Sequence, residues 1–123
     1  LVARIGRVIP VLIEVNVAEE DSKFGVTLTQ AIPLIDQVSR MEHINVRGLM
    51  TIAPFVDDPE KNRPVFRKLY KLSVDILEKN MNNVTMGVLS MGMTNDYIVA
   101  VEEGATMVRV GTGIFGERLY GSM

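Results

Sequence analysis

Two short stretches of this chain combine residue types that bind anions. In Val108-Arg109-Val110-Gly111-Thr112-Gly113 an apolar run ends in glycines that flank a threonine. Glycine lets backbone N–H groups approach an anion closely, and the Thr112 hydroxyl adds a donor. A helical turn starting there would aim its positive end at the same point. Leu89-Ser90-Met91-Gly92-Met93-Thr94 has the same plan. Ser90 and the amides around Gly92 can face that anion from a neighbouring loop. Each stretch also has a plain reading: a tight turn that needs glycine for its backbone, or an N-cap with a turn glycine. Two adjacent donor-rich loops support each other.

Arg109 sits inside an apolar strand pattern. A buried guanidinium has to be paired or hydrogen-bonded. It can hold a carboxylate or a ring nitrogen, and it does not readily give up its proton, so it would keep a pyridine nitrogen unprotonated. It can equally be an ion-pair partner of Glu14 or Glu102, and both readings stay open. Arg47 and Glu14 suggest a structural pair between strands. Asn16 and Met50 fall near strand ends, where they can line a mouth or simply pack. His43 lies between a helix end and a strand, away from the other candidates. Asp57 and Asp58 read as turn and helix start, and Glu102 and Glu103 as a solvated helix face. No metal-ligand spacing and no Ser-His-Asp arrangement can be placed. Lys61, Lys68, Lys71 and Lys79 belong to an amphipathic helix or its flanks, and Lys23 to a loop. None lies in a strand, and only Lys23 could approach a strand-end site, where a lysine of lowered pKa would be sought, though a surface loop is its plainer reading.

The elements that must position these residues alternate. Val11 to Val17 is β-rich and mostly apolar, as in a strand buried on both faces. Leu28, Ala31, Ile32, Ile35, Val38 and Met41 recur at helical spacing, with Thr29 as N-cap and Pro33 at the fourth helical position. A second strand spans Val46 to Ile52. Asp57-Asp58-Pro59 opens a helix whose stripe is Val65, Phe66, Leu69, Leu72, Ile76 and Leu77. The third strand is Thr85 to Ser90. Thr94 caps a short helix ending before Gly104, with Asp96 in its first turn. The fourth strand is Thr106 to Val110. Four β-loop-α units in strict order argue for a parallel sheet covered by helices. A complete (β/α)8 barrel takes eight such units in about 250 residues, so the fold class expected is α/β, a half barrel of TIM type. An open doubly wound sheet competes.

The 123 residues suit one domain or part of one, and a chain beginning at Leu1 is expected to be a piece of something longer. A net charge of −2 with no basic run makes nucleic acid a poor partner. The absence of cysteine excludes disulfides and thiolate chemistry and suits a reducing cytoplasm. The apolar run Val8 to Ile13 is far too short to span a bilayer, so no membrane partner is expected.

Four stretches, VLIEVNVAEEDSKFG from Val11, VRGLMTIAP from Val46, LSMGMTND from Leu89 and EEGATMVRVGTGIFG from Glu102, resemble the signature segments of the YggS/PROSC pyridoxal phosphate homeostasis family. They run through nearly the whole chain in the family's order. Such proteins are similar to the N-terminal barrel of alanine racemase. The resemblance implies a (β/α)8 barrel holding pyridoxal 5′-phosphate at the strands' C-terminal ends, with a role in cofactor balance and no strong catalytic activity. It implies phosphate contacts at Ser90, Gly111 and Thr112 and a pyridine-nitrogen contact at Arg109. Gly92 and Met50 complete the expected cofactor-binding set. The family's Schiff-base lysine lies on the first barrel strand and has no counterpart here, so residues 1–123 correspond to the C-terminal half. A half barrel exposes two strand edges and apolar surface, and association with itself or with the missing N-terminal half is expected. The enzyme alternative is a fragment of a cofactor-dependent racemase or decarboxylase, which needs a reactive lysine and a second acid/base group. A plain interaction module is the third class.

Overall fold

The computed structural model describes residues 8–19 and 25–109. In chain order these form β1 (Ile9–Glu14), α1 (Leu28–Ser39), β2 (Ile44–Met50), a 3-10 turn (Pro59–Asn62), α2 (Arg63–Glu78), β3 (Val84–Met93), α3 (Tyr97–Glu102) and β4 (Met107–Arg109). The strands make one sheet in the order β1-β2-β3-β4, and every pairing is parallel. A doubly wound sheet reverses its strand order part-way and carries helices on both faces. Here the order never reverses, which settles the choice for a half barrel.

One face of the sheet takes all the helices. Ile13, Leu49 and Leu89 are cross-strand partners. They join Ala31 and Ile35 of α1, Phe66, Leu69 and Ile76 of α2, and Val99 and Ala100 of α3 in a single core. The alternate positions project to the other face. There, Leu12, Gly48 and Val88 form one row, and Glu14, Met50, Ser90 and Met107 the next. A shallow cavity of about 230 Å³ on this face is lined by Pro10, Val11, Leu12, Arg47, Val88 and Met107. Met107 is 51% exposed. In a closed barrel this open face is the interior.

Several boundaries differ from the sequence expectation, each for a local reason. The N-cap of α1 is Thr27, not Thr29. Thr27 accepts from the Gln30 amide while the Gln30 side chain accepts from the Thr27 N–H. This reciprocal capping box satisfies two donors where Thr29 could satisfy one. Pro33 therefore falls deeper in the helix, and Thr29, whose carbonyl it cannot bond, is an exposed residue. Leu77 does not belong to the buried stripe of α2: it is 58% exposed, beside exposed Tyr70 and Val74. Asp58 caps the 3-10 turn, accepting from the Glu60 amide at 3.0 Å, and Pro59 opens it. The α-helix follows only from Arg63.

Glu103 is not a solvated helix-face residue either, with its side chain 13% exposed. Arg63 donates to Glu60 at 2.7 Å, to Glu102 at 2.6 Å and to Glu103 at 2.7 Å, and Arg67 donates to Glu103 at 3.1 Å. The cluster joins the 3-10 turn, α2 and α3. The Arg67 and Arg63 guanidiniums hold the Glu103 carboxyl below its ordinary value, and Arg63 does the same to Glu60. A carboxylate whose folded pKa is depressed stabilises the fold above its unfolded value of about 4.5. That contribution disappears as pH falls through the folded value. Urea midpoints measured from about pH 6 to about pH 3 should therefore drop more steeply for the wild type than for Arg63→Met. Parallel profiles would remove the cluster from the account of acid stability.

Candidate ligand site at the strands' C-terminal ends

The site is built where the parallel strands end. Ser90 stands between two core residues, Leu89 and Met91, and so faces the open side of the sheet. Its cross-strand partners are Met50 on β2 and Met107 on β4. The Thr51 amide donates to the Ser90 carbonyl at 3.0 Å, which fixes the backbone of β3 against the end of β2. The residue is buried, and among the described residues its hydroxyl takes no hydrogen bond.

Arg109 ends β4. Its neighbour Val108 packs on the core, so Arg109 projects to the same open face as Met107, and it is exposed. The proposed ion pairs do not form. Glu102 is taken by Arg63, and among the described residues neither Arg109 nor Arg47 bonds Glu14. Arg47 is instead the extra residue of an irregularity in the β1–β2 register. Met50 lies half-buried in the row between Glu14 and Ser90. Gly111 and Thr112 lie outside the described residues, as does Lys23.

Gly92 has φ +105°, a conformation that L side chains rarely adopt. An added Cβ would also lie 2.6 Å from the Ala100 Cβ. So Gly92 is glycine because the turn leaves β3 in this conformation and α3 packs directly against it. The amide of Met93 is engaged, too: it donates to Asp96 Oδ1 at 2.7 Å. Of the amides around Gly92, this one is committed to the protein.

Asp96 and Asn62 were not among the sequence candidates for the site. Asp96 is 4% exposed and Asn62 1%. The Asn62 carboxamide donates to Asp96 Oδ2 at 2.9 Å and to the Pro54 carbonyl at 2.8 Å. The signal available was the Thr-Asn-Asp run after a strand, a pattern in which a carboxylate closes a turn on its own backbone. Thr94 was read as the cap in its place. Nearby, Asn95 donates to the Val56 carbonyl at 3.0 Å. Thr51 and Thr106 fasten the strand ends from below: Thr51 Oγ1 donates to the Val15 carbonyl at 2.6 Å, and Thr106 Oγ1 accepts from the Leu89 amide at 2.8 Å.

Elsewhere, a cavity of about 520 Å³ lies between the far ends of α1 and α2, lined by residues such as Arg40, Lys79 and Asn83. It touches none of the candidates. His43 sits in the turn before β2 at φ +67°, its carbonyl accepting from Ile9. Among the described residues no acidic or histidine cluster could hold a metal ion, and no helix is long and apolar enough to cross a membrane.

A singly wound parallel half barrel, with a hydroxyl, a glycine turn and a guanidinium at the strands' C-terminal ends, has the frame of a (β/α)8 barrel, a class whose sites lie at that end of the strands. The chain belongs to the family of the alanine racemase N-terminal domain, which it matches over residues 1–119. It is 49% identical over 110 residues to the pyridoxal phosphate homeostasis protein of Aquifex aeolicus, covering 89% of this chain and 47% of that protein. It thus spans about half the length of the curated relatives it matches. The crystal structure of an unknown protein from Bifidobacterium adolescentis superposes with TM-score 0.86 at 38% identity, over 93% of this chain and 46% of that one. PipY of Synechococcus elongatus with pyridoxal phosphate bound gives TM-score 0.77 at 27% identity, over 94% and 52% of the two chains.

Proposed function

We propose that residues 1–123 are the C-terminal half of a pyridoxal 5′-phosphate-binding (β/α)8 barrel that serves cytoplasmic cofactor homeostasis without strong catalytic activity. Ser90, the Gly92 turn, Gly111 and Thr112 contact the phosphate, Arg109 the pyridine nitrogen, and Met50 the side of the ring. The observation that carries this reading is the shared open face: Ser90 and Arg109 project to one side of the strand ends, and neither side chain has a bonding partner among the described residues. A hydroxyl donor suits a phosphate oxygen, and a guanidinium suits a ring-nitrogen acceptor. The relatives' names and the cofactor bound in PipY support the same ligand.

When bound, pyridoxal phosphate supplies an aldehyde and an electron-withdrawing ring. Arg109 keeps its own proton and donates a hydrogen bond to the ring nitrogen without transferring one. The ring then withdraws electrons weakly, which favours holding the cofactor over turning substrates over. The lysines at 61, 68, 71 and 79 are exposed on or beside α2 and away from the strand ends. By the family resemblance, which puts the attaching lysine on the first barrel strand, that lysine belongs to the complementary half. That half, or a second copy of this chain, covers the open face, at whose borders β1 and β4 are the end strands of the sheet among the described residues.

Titration of the chain with pyridoxal phosphate should show saturable binding that inorganic phosphate competes away and that borohydride does not fix. Ser90→Ala should weaken it about tenfold, the loss of one hydrogen bond to a charged group. Stoichiometric fixation on one lysine, or an unchanged affinity in Ser90→Ala, would overturn the assignment.

A further inference from the structure

We infer that Asp96 and Asn62 form a positioning pair that holds the β3–α3 turn in register with the β2–α2 loop. In this way they aim the phosphate-binding turn without touching the ligand. The inference rests on the cofactor reading above for its ligand, and on the structure alone for the device.

Three bonds make one continuous link. The Met93 amide donates to one carboxylate oxygen of Asp96, the other accepts from Asn62, and the second N–H of the same carboxamide reaches the Pro54 carbonyl. Both side chains are almost wholly removed from water. Water therefore cannot replace a lost partner at little cost. The link spans two loops that come from different βα units, so it sets the position of one strand mouth relative to the next. It starts three residues from Ser90, directly after Gly92, whose positive φ falls at the register irregularity near the end of β3. The carboxylate also closes that turn through the Met93 amide, so the path from Ser90 to α3 has one geometry. Asn95, bonded to the Val56 carbonyl, ties the same two loops a second time from the exposed side.

The arrangement of donors and acceptors predicts which substitutions the link tolerates. Asn62→Asp sets two carboxylates against each other and removes the donor to Pro54. In the double variant Asn62→Asp/Asp96→Asn, the carboxamide introduced at position 96 accepts from the Met93 amide and donates to the carboxylate introduced at position 62. The Pro54 bond is lost and a carboxylate oxygen then faces the Pro54 carbonyl, so the rescue is partial.

The full chain and these variants are titrated with pyridoxal phosphate, with inorganic phosphate as competitor, and their melting temperatures are measured in parallel. Asn62→Asp should weaken cofactor binding about tenfold near pH 7, and the double variant should return to within about threefold of wild type. The defect of Asn62→Asp should ease as pH falls, because one of two touching carboxyls then takes a proton and donates it to the other. Lower melting temperatures with unchanged affinity, or a double variant no better than the single, would reduce the pair to a structural role. Amide exchange at Met93 reads the device without ligand: slow in wild type and the double variant, fast in Asp96→Ala. Unchanged exchange in Asp96→Ala overturns the inference even where binding is seen. A wild type that shows slow exchange but no cofactor binding overturns the function and leaves the link standing.

Discussion

Replacing Gly48 by alanine should destabilise the chain by about 3 kcal/mol or more, enough to open the sheet between its two central strands. Gly48 is buried in β2 opposite Val88 on one side, and on the other it follows Arg47 at the β1–β2 register irregularity. A Cβ there would overlap the Val88 carbonyl oxygen and lie 2.6 Å from the carbonyl carbon and 3.0 Å from the Cα. These are backbone atoms of a hydrogen-bonded strand and cannot swing aside as a long side chain would. The strands must separate, and with them the rows that pair Met50 with Ser90. Gly87, one residue before Val88 on β3, provides the control. Nothing lies within 4 Å of an added Cβ there. Gly87→Ala should be neutral or stabilise by up to about 1 kcal/mol through the unfolded chain. Urea unfolding of the two variants measures the difference. If Gly48→Ala unfolds within about 1 kcal/mol of wild type, the close approach of β2 and β3 is not a constraint on this fold.

That contrast also marks what a sequence conveys. Both glycines stand in apolar stretches, and nothing in their neighbours says which one faces a carbonyl across the seam. The order of elements was legible because it rests on short-range periodicity: alternating apolar runs for the strands, Phe66, Leu69, Leu72 and Ile76 for α2. Four successive units then leave few arrangements, and Ser90, Met50 and Arg109 arrive on one face simply because strand side chains alternate. What was not legible depends on contacts between distant segments. Arg63 joins Glu102 and Glu103 across about forty positions of sequence. That contact turned Glu103, read as solvent-facing, into an anchor, and it removed Glu102 as a partner for Arg109. Asp96 was legible as an acid near a helix start. Its tie to Asn62, 34 positions earlier, was not. The capping box of α1 was a different kind of miss. Thr27 and Gln30 carry the spacing of a reciprocal cap, but a second threonine two residues on competed for the same role.

Truncating Phe66 to alanine should cost about 3–5 kcal/mol, while truncating Leu77 on the same helix should change stability by no more than about 0.5 kcal/mol. The periodicity of α2 puts both in one apolar stripe, and composition ranks them alike. The structure separates them. Phe66 has no exposed surface and packs in the core shared by α2 and the inner strands, whereas Leu77 is more than half exposed near the helix end. Loss of the ring leaves a cavity that the strands cannot fill without breaking their pairing, so the full transfer and cavity cost should be felt. Typical domains are stable by about 5–15 kcal/mol, so Phe66→Ala would take away about a fifth or more of the total. Its melting temperature should fall by roughly 10–20 °C. Leu77→Ala is also the sharper test of how the chain associates. If a complementary half or a second copy covers the outer face of α2 in solution, Leu77 is buried there and its truncation weakens assembly. If association instead uses the open face of the sheet, Leu77→Ala leaves the sedimentation profile unchanged and Met107→Asp disrupts it. The position of β1 and β4 as end strands of the sheet among the described residues favours the second outcome, because a partner that continues the sheet satisfies backbone groups as well as apolar surface. A profile disturbed by Leu77→Ala and not by Met107→Asp would put the partner on the helices.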